Sequence, residues 1–129
     1  MILLLAVACS GSPADPDAGF AVVGTSPADG AVDVVEAHIP EVWFNAASDP
    51  AACTTDTVRI DALYADGSVA FAVPLGLEPI DGGVKLRLRP EEVLPEGWSY
   101  ALTVADGDAG CASTAGDVVR PHLSTFLVP

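Results

Sequence analysis

The clearest periodic signal in the chain lies at Val84-Lys-Leu-Arg-Leu-Arg89, where Val84, Leu86 and Leu88 alternate with Lys85, Arg87 and Arg89. A period of two sets the apolar residues on one face and the cations on the other, which is the pattern of a half-buried β-strand and not of a helix. Ser99-Tyr-Ala-Leu-Thr-Val104 repeats it with Tyr100, Leu102 and Val104 inward, and Val42 with Phe44 does so around Glu41 and Trp43. Val58–Tyr64 and Ser68–Leu75 flank Ala65-Asp-Gly67, whose Asp-Gly pair favours positive φ and a tight hairpin. Strands near 20–23 and 122–128 complete the set. Short strands bounded by Gly, Pro or Asp, with no sustained 3.6-residue period, predict an all-β fold: an immunoglobulin-like β-sandwich of about seven antiparallel strands. Pro40 marks the start of its strand as an edge or irregular position, because it cannot donate to a ladder.

Composition narrows the class. At 129 residues the chain has room for one domain, with a core that buries about two-thirds of its unfolded surface. Eighteen acidic side chains against five basic ones leave a formal net charge of −13, which argues against a nucleic-acid partner, since phosphate backbones are held by clustered Lys and Arg. Half the residues are apolar, so the chain has enough hydrophobic surface to fold.

The first nine residues, Met1-Ile-Leu-Leu-Leu-Ala-Val-Ala-Cys9, form an uncharged apolar run that passes into Ser10-Gly-Ser-Pro13. A run this short cannot span a bilayer, which takes about 20 residues, but it fits the apolar segment of an export signal. Its Ala6-Val7-Ala8-Cys9 end resembles the lipobox of bacterial lipoproteins, and that resemblance implies that Cys9 is lipidated and becomes the mature N-terminus. A plain secretory signal cut near Ala8, or an unprocessed apolar N-terminus, are the other readings. The expected organisation is a signal peptide over 1–8, a lipidated cysteine with a flexible Pro/Gly/Ser/Asp linker over 9–19, and one β-sandwich over 20–129. The address is the bacterial cell envelope, with membrane contact only through the lipid.

Export changes the meaning of the remaining cysteines. An oxidising compartment favours a disulfide, and with Cys9 lipidated Cys53 and Cys111 are left as a pair. Neither belongs to a Cys-x-x-Cys pair or has a histidine at zinc-like spacing, so no metal is assigned to them. In an Ig-like topology their loops, between the strands ending near Asn45 and starting near Thr57, and after Ala105, gather at one end of the sandwich. The expectation is a Cys53–Cys111 bond.

Ser26-Pro-Ala-Asp-Gly-Ala-Val-Asp-Val34, Val42-Trp-Phe-Asn45, Leu88-Arg-Pro90 and Leu94-Pro-Glu-Gly-Trp-Ser-Tyr100 follow one another in a single order. Together they resemble the SbsA-type bacterial Ig-like domain, the module repeated in S-layer and other surface proteins, over about residues 20–128. The resemblance implies a structural or adhesive sandwich without catalysis. This chain carries one copy, and it has Asp106-Gly-Asp-Ala-Gly-Cys-Ala-Ser-Thr-Ala-Gly-Asp117 before its last strand.

Residue chemistry adds little to that. Asp29-Gly30 is a turn, and Tyr100 near a strand start resembles a tyrosine corner, whose hydroxyl returns to upstream backbone. Trp43 and Trp98 are half-buried plugs or an exposed aromatic contact surface. No Gly-x-Ser-x-Gly elbow is present, and His38 and His122 sit in strand-like segments without an adjacent nucleophile, so no catalytic residue is assigned. Asp106-Gly-Asp-Ala-Gly110 begins like a calcium loop but lacks the closing Glu, and turn chemistry is the simpler reading. Lys85, Arg87 and Arg89 form the one cationic cluster; carboxylates on neighbouring strands are their expected partners, and an anionic ligand or protein partner is the alternative.

The leading function is therefore a non-catalytic, surface-anchored Ig-like module with a structural or protein-interaction role, without cofactor. Its partner would be an envelope or extracellular protein or glycan. The alternative is a CopC-like periplasmic copper-binding protein, a family with a comparable Pro-Ala-Asp-Gly opening; His38 and His122 are the only imidazoles available for it. A third class is an accessory subunit of an exported enzyme complex.

Overall fold

Alternation in the sequence becomes two packed sheets. The computed structural model describes residues 19–129; the expected signal, Cys9 and the linker through residue 18 lie outside the described residues. Eight strands are present: β1 (Val22–Ser26), β2 (Glu41–Phe44), β3 (Val58–Leu63), β4 (Val69–Ala72), β5 (Leu75–Ile80), β6 (Lys85–Pro90), β7 (Trp98–Val104) and β8 (His122–Val128). One sheet has the order β1-β2-β6-β5 and the other β4-β3-β7-β8, and every named pairing is antiparallel. This is the expected Ig-like sandwich.

The inward residues are those the period marks. Val42, Phe44, Leu86 and Leu88 from the first sheet meet Val58, Ile60, Tyr100, Leu102 and Val104 from the second, all essentially sealed from solvent. Phe20 stacks on Phe44 with ring centroids 4.8 Å apart, and Tyr100 on Phe126 at 5.5 Å, so aromatic pairs close both ends of the core. The Tyr100 hydroxyl donates to the Pro95 carbonyl at 2.6 Å, forming the expected corner, and burial pushes its pKa up to about 12.

Two expectations need correction. The single strand expected over 68–75 is two strands in different sheets. Pro74 has no N–H to continue the ladder, so β4 ends at Ala72 and the chain crosses to the other sheet, where β5 pairs with β6 from Leu75↔Pro90 to Ile80↔Lys85. Val84 is not inward with Leu86 and Leu88; it is 39% exposed. Positive φ at Asp81, Gly82 and Gly83 in the 3-10 turn Asp81–Gly83 swings the chain outward, and the ladder starts only at Lys85.

The connection after β1 has a structural task. Ala28 and Ala31 close a turn around Asp29-Gly30, and residues 30–34 then run parallel to β8, through Gly30 N–H to the Thr125 carbonyl at 2.7 Å and Leu127 N–H to the Ala31 carbonyl at 2.8 Å. Asp29 Oδ1 accepts the Thr125 N–H at 2.8 Å. The edge of β8 is thereby covered, which removes one template for strand addition. β4, β5 and β1 each have a single strand neighbour.

Candidate functional site

The antiparallel register of β3 and β7 separates the sandwich into two ends, with Val58↔Val104 at one and Leu63↔Ser99 at the other. At the first end Cys53 and Cys111 are joined by a disulfide, with Cα atoms 4.2 Å apart. Asp49 N–H donates to the Ala112 carbonyl at 2.9 Å and Thr114 N–H to the Ala47 carbonyl at 3.0 Å, so backbone bonds seam the two loops beside the sulfurs. Both cysteines are buried. The pair is thus a core staple. The chain also enters here: Asn45 brackets it, its side-chain amide donating to the Gly19 carbonyl at 2.8 Å and its Oδ1 accepting the Ala21 N–H at 3.0 Å.

Asp106-Gly-Asp-Ala-Gly110 folds as a tight loop, with Gly110 N–H on the Gly107 carbonyl and Cys111 N–H on the Ala105 carbonyl. Asp106 and Asp108 are exposed. Among the described residues no three His, Cys, Asp or Glu side chains converge as a metal site.

The basic stripe lies on the outer face of the first sheet, paired with carboxylates. Glu41 on β2 accepts from Arg87 Nε at 3.0 Å and lies 3.9 Å from Lys85 Nζ; Glu78 on β5 accepts from Arg89 Nε at 2.7 Å and lies 3.5 Å from Arg87 Nη1. Arg89 beside Glu78 holds that carboxyl below its ordinary value. Lys85 also lies 5.8 Å from the ring centroid of half-buried Trp43, whose other neighbour is Gly24; a Cβ there would stand 2.8 Å from the ring. This face is a cross-strand charge ladder laid beside a tryptophan.

The outer face of the second sheet is different in kind. Its ion pair is Arg59 with the buried Asp61, at 2.9 Å, and around it stand exposed Val69 and Leu123. Along the edge of that sheet and at the end away from the disulfide, Trp98 contacts Phe71 edge-on at 5.3 Å and Tyr64 at 6.0 Å. Tyr64 is 54% exposed and Phe71 38%. Trp98 is thus half-buried and packs on the core, with the exposed Tyr64 and Phe71 seated against it, while Trp43 supports the charge ladder. A cleft of about 260 Å³ opens beside Phe71, between the Pro74 sheet switch and the Glu91–Pro95 segment.

Trp98 stands out in the sequence, whereas Tyr64 and Phe71 do not. The available signal was the Ala65-Asp-Gly67 hairpin, which folds Tyr64 and Phe71 back onto neighbouring strands. A bulge between Ala62 and Leu63 shifts the register and hides it.

The histidines stand apart. His38 is in the irregular β1–β2 connection, not in a strand as expected, and its Nε2 lies 3.1 Å from Ser26 Oγ. His122 begins β8, paired with Val104; burial lowers its pKa from the ordinary value, and the Asp29 charge pulls it back up by less. Its buried Nε2 and the Ser124 hydroxyl are the two buried side-chain polar atoms without a hydrogen-bond partner among the described residues.

Solved structures share this architecture. Residues of the S-layer protein SbsC, in a crystal structure of its residues 31–844, superpose with a TM-score of 0.58 at 16% identity, over 84% of this chain and 13% of that one. CopC from Methylosinus trichosporium OB3b gives 0.57 at 18% identity, over 83% of this chain and 90% of that one. PcoC, a methionine-rich copper resistance protein from Escherichia coli, gives 0.54 at 15% identity, over 85% and 98%. The chain thus spans a small part of the S-layer chain and nearly all of each of the other two. No curated protein matches it. The family model of the bacterial Ig-like domain matches residues 16–126, and with the two-sheet sandwich described above this shows that the chain belongs to the bacterial Ig-like domain family.

Proposed function

We propose that the chain is a non-catalytic, surface-anchored Ig-like module with a structural or protein-interaction role in the bacterial cell envelope. One observation carries the reading: the sandwich has an entry end and a display end. The described chain enters beside the disulfide-closed loops through Gly19 and Phe20, and the exposed Tyr64 and Phe71, seated on the half-buried Trp98, lie at the opposite end. A lipid on Cys9, joined through the linker at 10–19, would hold the disulfide end toward the membrane and turn the aromatic end away. Ten extended residues reach at most about 35 Å, which keeps the module close to the surface. Separating cell fractions tests the anchor. The full-length chain is expected in the membrane fraction, and Cys9→Ser is expected to move it to the soluble one; a Cys9→Ser protein that stays membrane-bound, or a native protein that is soluble, overturns the anchored reading.

A copper-binding role is the second reading, favoured by the near full-length overlay on CopC and PcoC. That overlay speaks for the fold. The residues differ from a methionine-rich set: the chain's single methionine is Met1, and His38 and His122 belong to separate surroundings. Two imidazoles apart make a weak Cu(II) site. Titration of the full-length chain with Cu(II), followed by electron paramagnetic resonance, is expected to show only weak, non-stoichiometric binding; one tight equivalent would establish the copper reading instead.

A further inference from the structure

The cleft at the aromatic end joins an apolar wall to an acidic lip. Phe71, Val73, Pro74 and Val93 line it, with Glu91 and Glu92 at the same opening. Val93 is 59% exposed, and Phe71 is held edge-on by Trp98, so this apolar surface is both accessible and fixed in place. Fixed aromatic surface is the form that binds at low entropic cost.

The charge around the cleft is unbalanced. Lys85, Arg87 and Arg89 are engaged by Glu41 and Glu78, and Arg59 by Asp61, which leaves none of these four cations to neutralise Glu91 or Glu92. Phe71 belongs to β4, which has β3 as its single strand neighbour, so a free strand edge with unpaired peptide groups adjoins the cleft. A neighbouring cleft lined by Glu36, His38 and Ile39 shares Glu91 and Glu92 with it and extends the acidic rim.

We propose that this cleft binds an extended, cationic segment of a partner protein, one that carries Lys or Arg on either side of an apolar residue. The apolar side chain packs on Phe71 and Val93, the cations meet Glu91 and Glu92, and the backbone lies along β4. Charge complementarity selects this occupant. A second copy of the chain would set Glu91 and Glu92 against their own equivalents, in a protein whose net charge is −13. The inference deepens the protein-interaction reading and rests on it.

Fluorescence anisotropy of a labelled short peptide alternating Lys with Leu, titrated with the full-length chain at physiological salt, tests it. Saturable binding is expected, weakened roughly tenfold by the double substitution Glu91→Gln/Glu92→Gln, which removes exposed charge without touching the core. Asp106→Asn/Asp108→Asn removes the same charge at the opposite end and is expected to leave the affinity within about twofold. Three results overturn the proposal: no saturable binding, equal weakening by both double variants, or full affinity in Glu91→Gln/Glu92→Gln. Amide signals of Phe71 and Val93 that respond to an N-acetylglucosamine oligomer and not to the peptide would mark a glycan surface, and would also overturn it. Failure here with the lipid anchor intact removes this inference alone; peptide binding by a chain found without an anchor removes the anchored reading alone.

Discussion

Gly83 shows how one residue holds a junction of the sandwich. Its φ of 97° is reserved for glycine, and a Cβ there would stand 2.8 Å from the Ser48 carbonyl oxygen. Ser48 returns both its N–H, at 3.0 Å, and its hydroxyl, at 2.6 Å, to the Gly83 carbonyl, tying the first sheet to the disulfide loop. Gly83→Ala is expected to lower unfolding free energy by about 1–3 kcal/mol, measured by urea denaturation, and an unchanged midpoint would show that the junction yields. His122 makes a pH prediction. Burial depresses its folded pKa below the ordinary 6.5, so the unfolded chain takes up a proton first. Stability is therefore independent of this group above pH 6.5 and falls as pH drops below it toward the folded value. His122→Gln should flatten that part of the stability profile while leaving the fall at lower pH, where carboxylates such as Glu78 take up protons. A profile unchanged by the substitution would contradict the assignment.

Strands differ in how plainly their residues announce them. β2 and β6 alternate because each has one face on the core and the other on a charge ladder, and β7 does so except at the buried Ala101; all three are legible in the sequence. β5 is not, since Leu75-Gly-Leu-Glu-Pro-Ile80 mixes a proline and a glycine into an edge strand whose residues are only partly buried. Its separation from β4 depends on where the chain changes sheets, a tertiary choice that Pro74 permits but does not specify. The cation–carboxylate ladder was readable from residue types alone. The aromatic group was not, because it assembles from a bulged hairpin and the first residue of β7. The loops, by contrast, carried a usable signal in their cysteines. Linking positions 58 apart constrains the unfolded chain by about 4 kcal/mol in the chain-entropy model. The double substitution Cys53→Ala/Cys111→Ala is expected to lose stability on that order, with hydrogen exchange rising first in residues 46–57 and 105–119; protection lost evenly across both sheets would argue against a staple local to this end.

For the whole molecule, the two sheets present unlike surfaces to a partner: a cross-strand ladder of three cations and two carboxylates on one, and on the other the Arg59–Asp61 pair beside exposed Val69 and Leu123, with an acidic, aromatic-walled cleft where the chain switches sheets at Pro74. A chain with net charge −13 will meet cationic partners faster at low ionic strength, so association through the cleft should slow as salt rises. The proposed lipid on Cys9 would hold the sandwich at the disulfide end and leave the cleft facing away from the membrane. Intact-mass analysis of the protein extracted from membranes of its native host, with alkylation before reduction, tests that arrangement most directly. The expected result is a chain that starts at Cys9 and carries added acyl mass, with no thiol at Cys53 or Cys111 open to alkylation until reductant is added. An unmodified chain starting at Met1, or alkylated thiols at both positions without reduction, would contradict it.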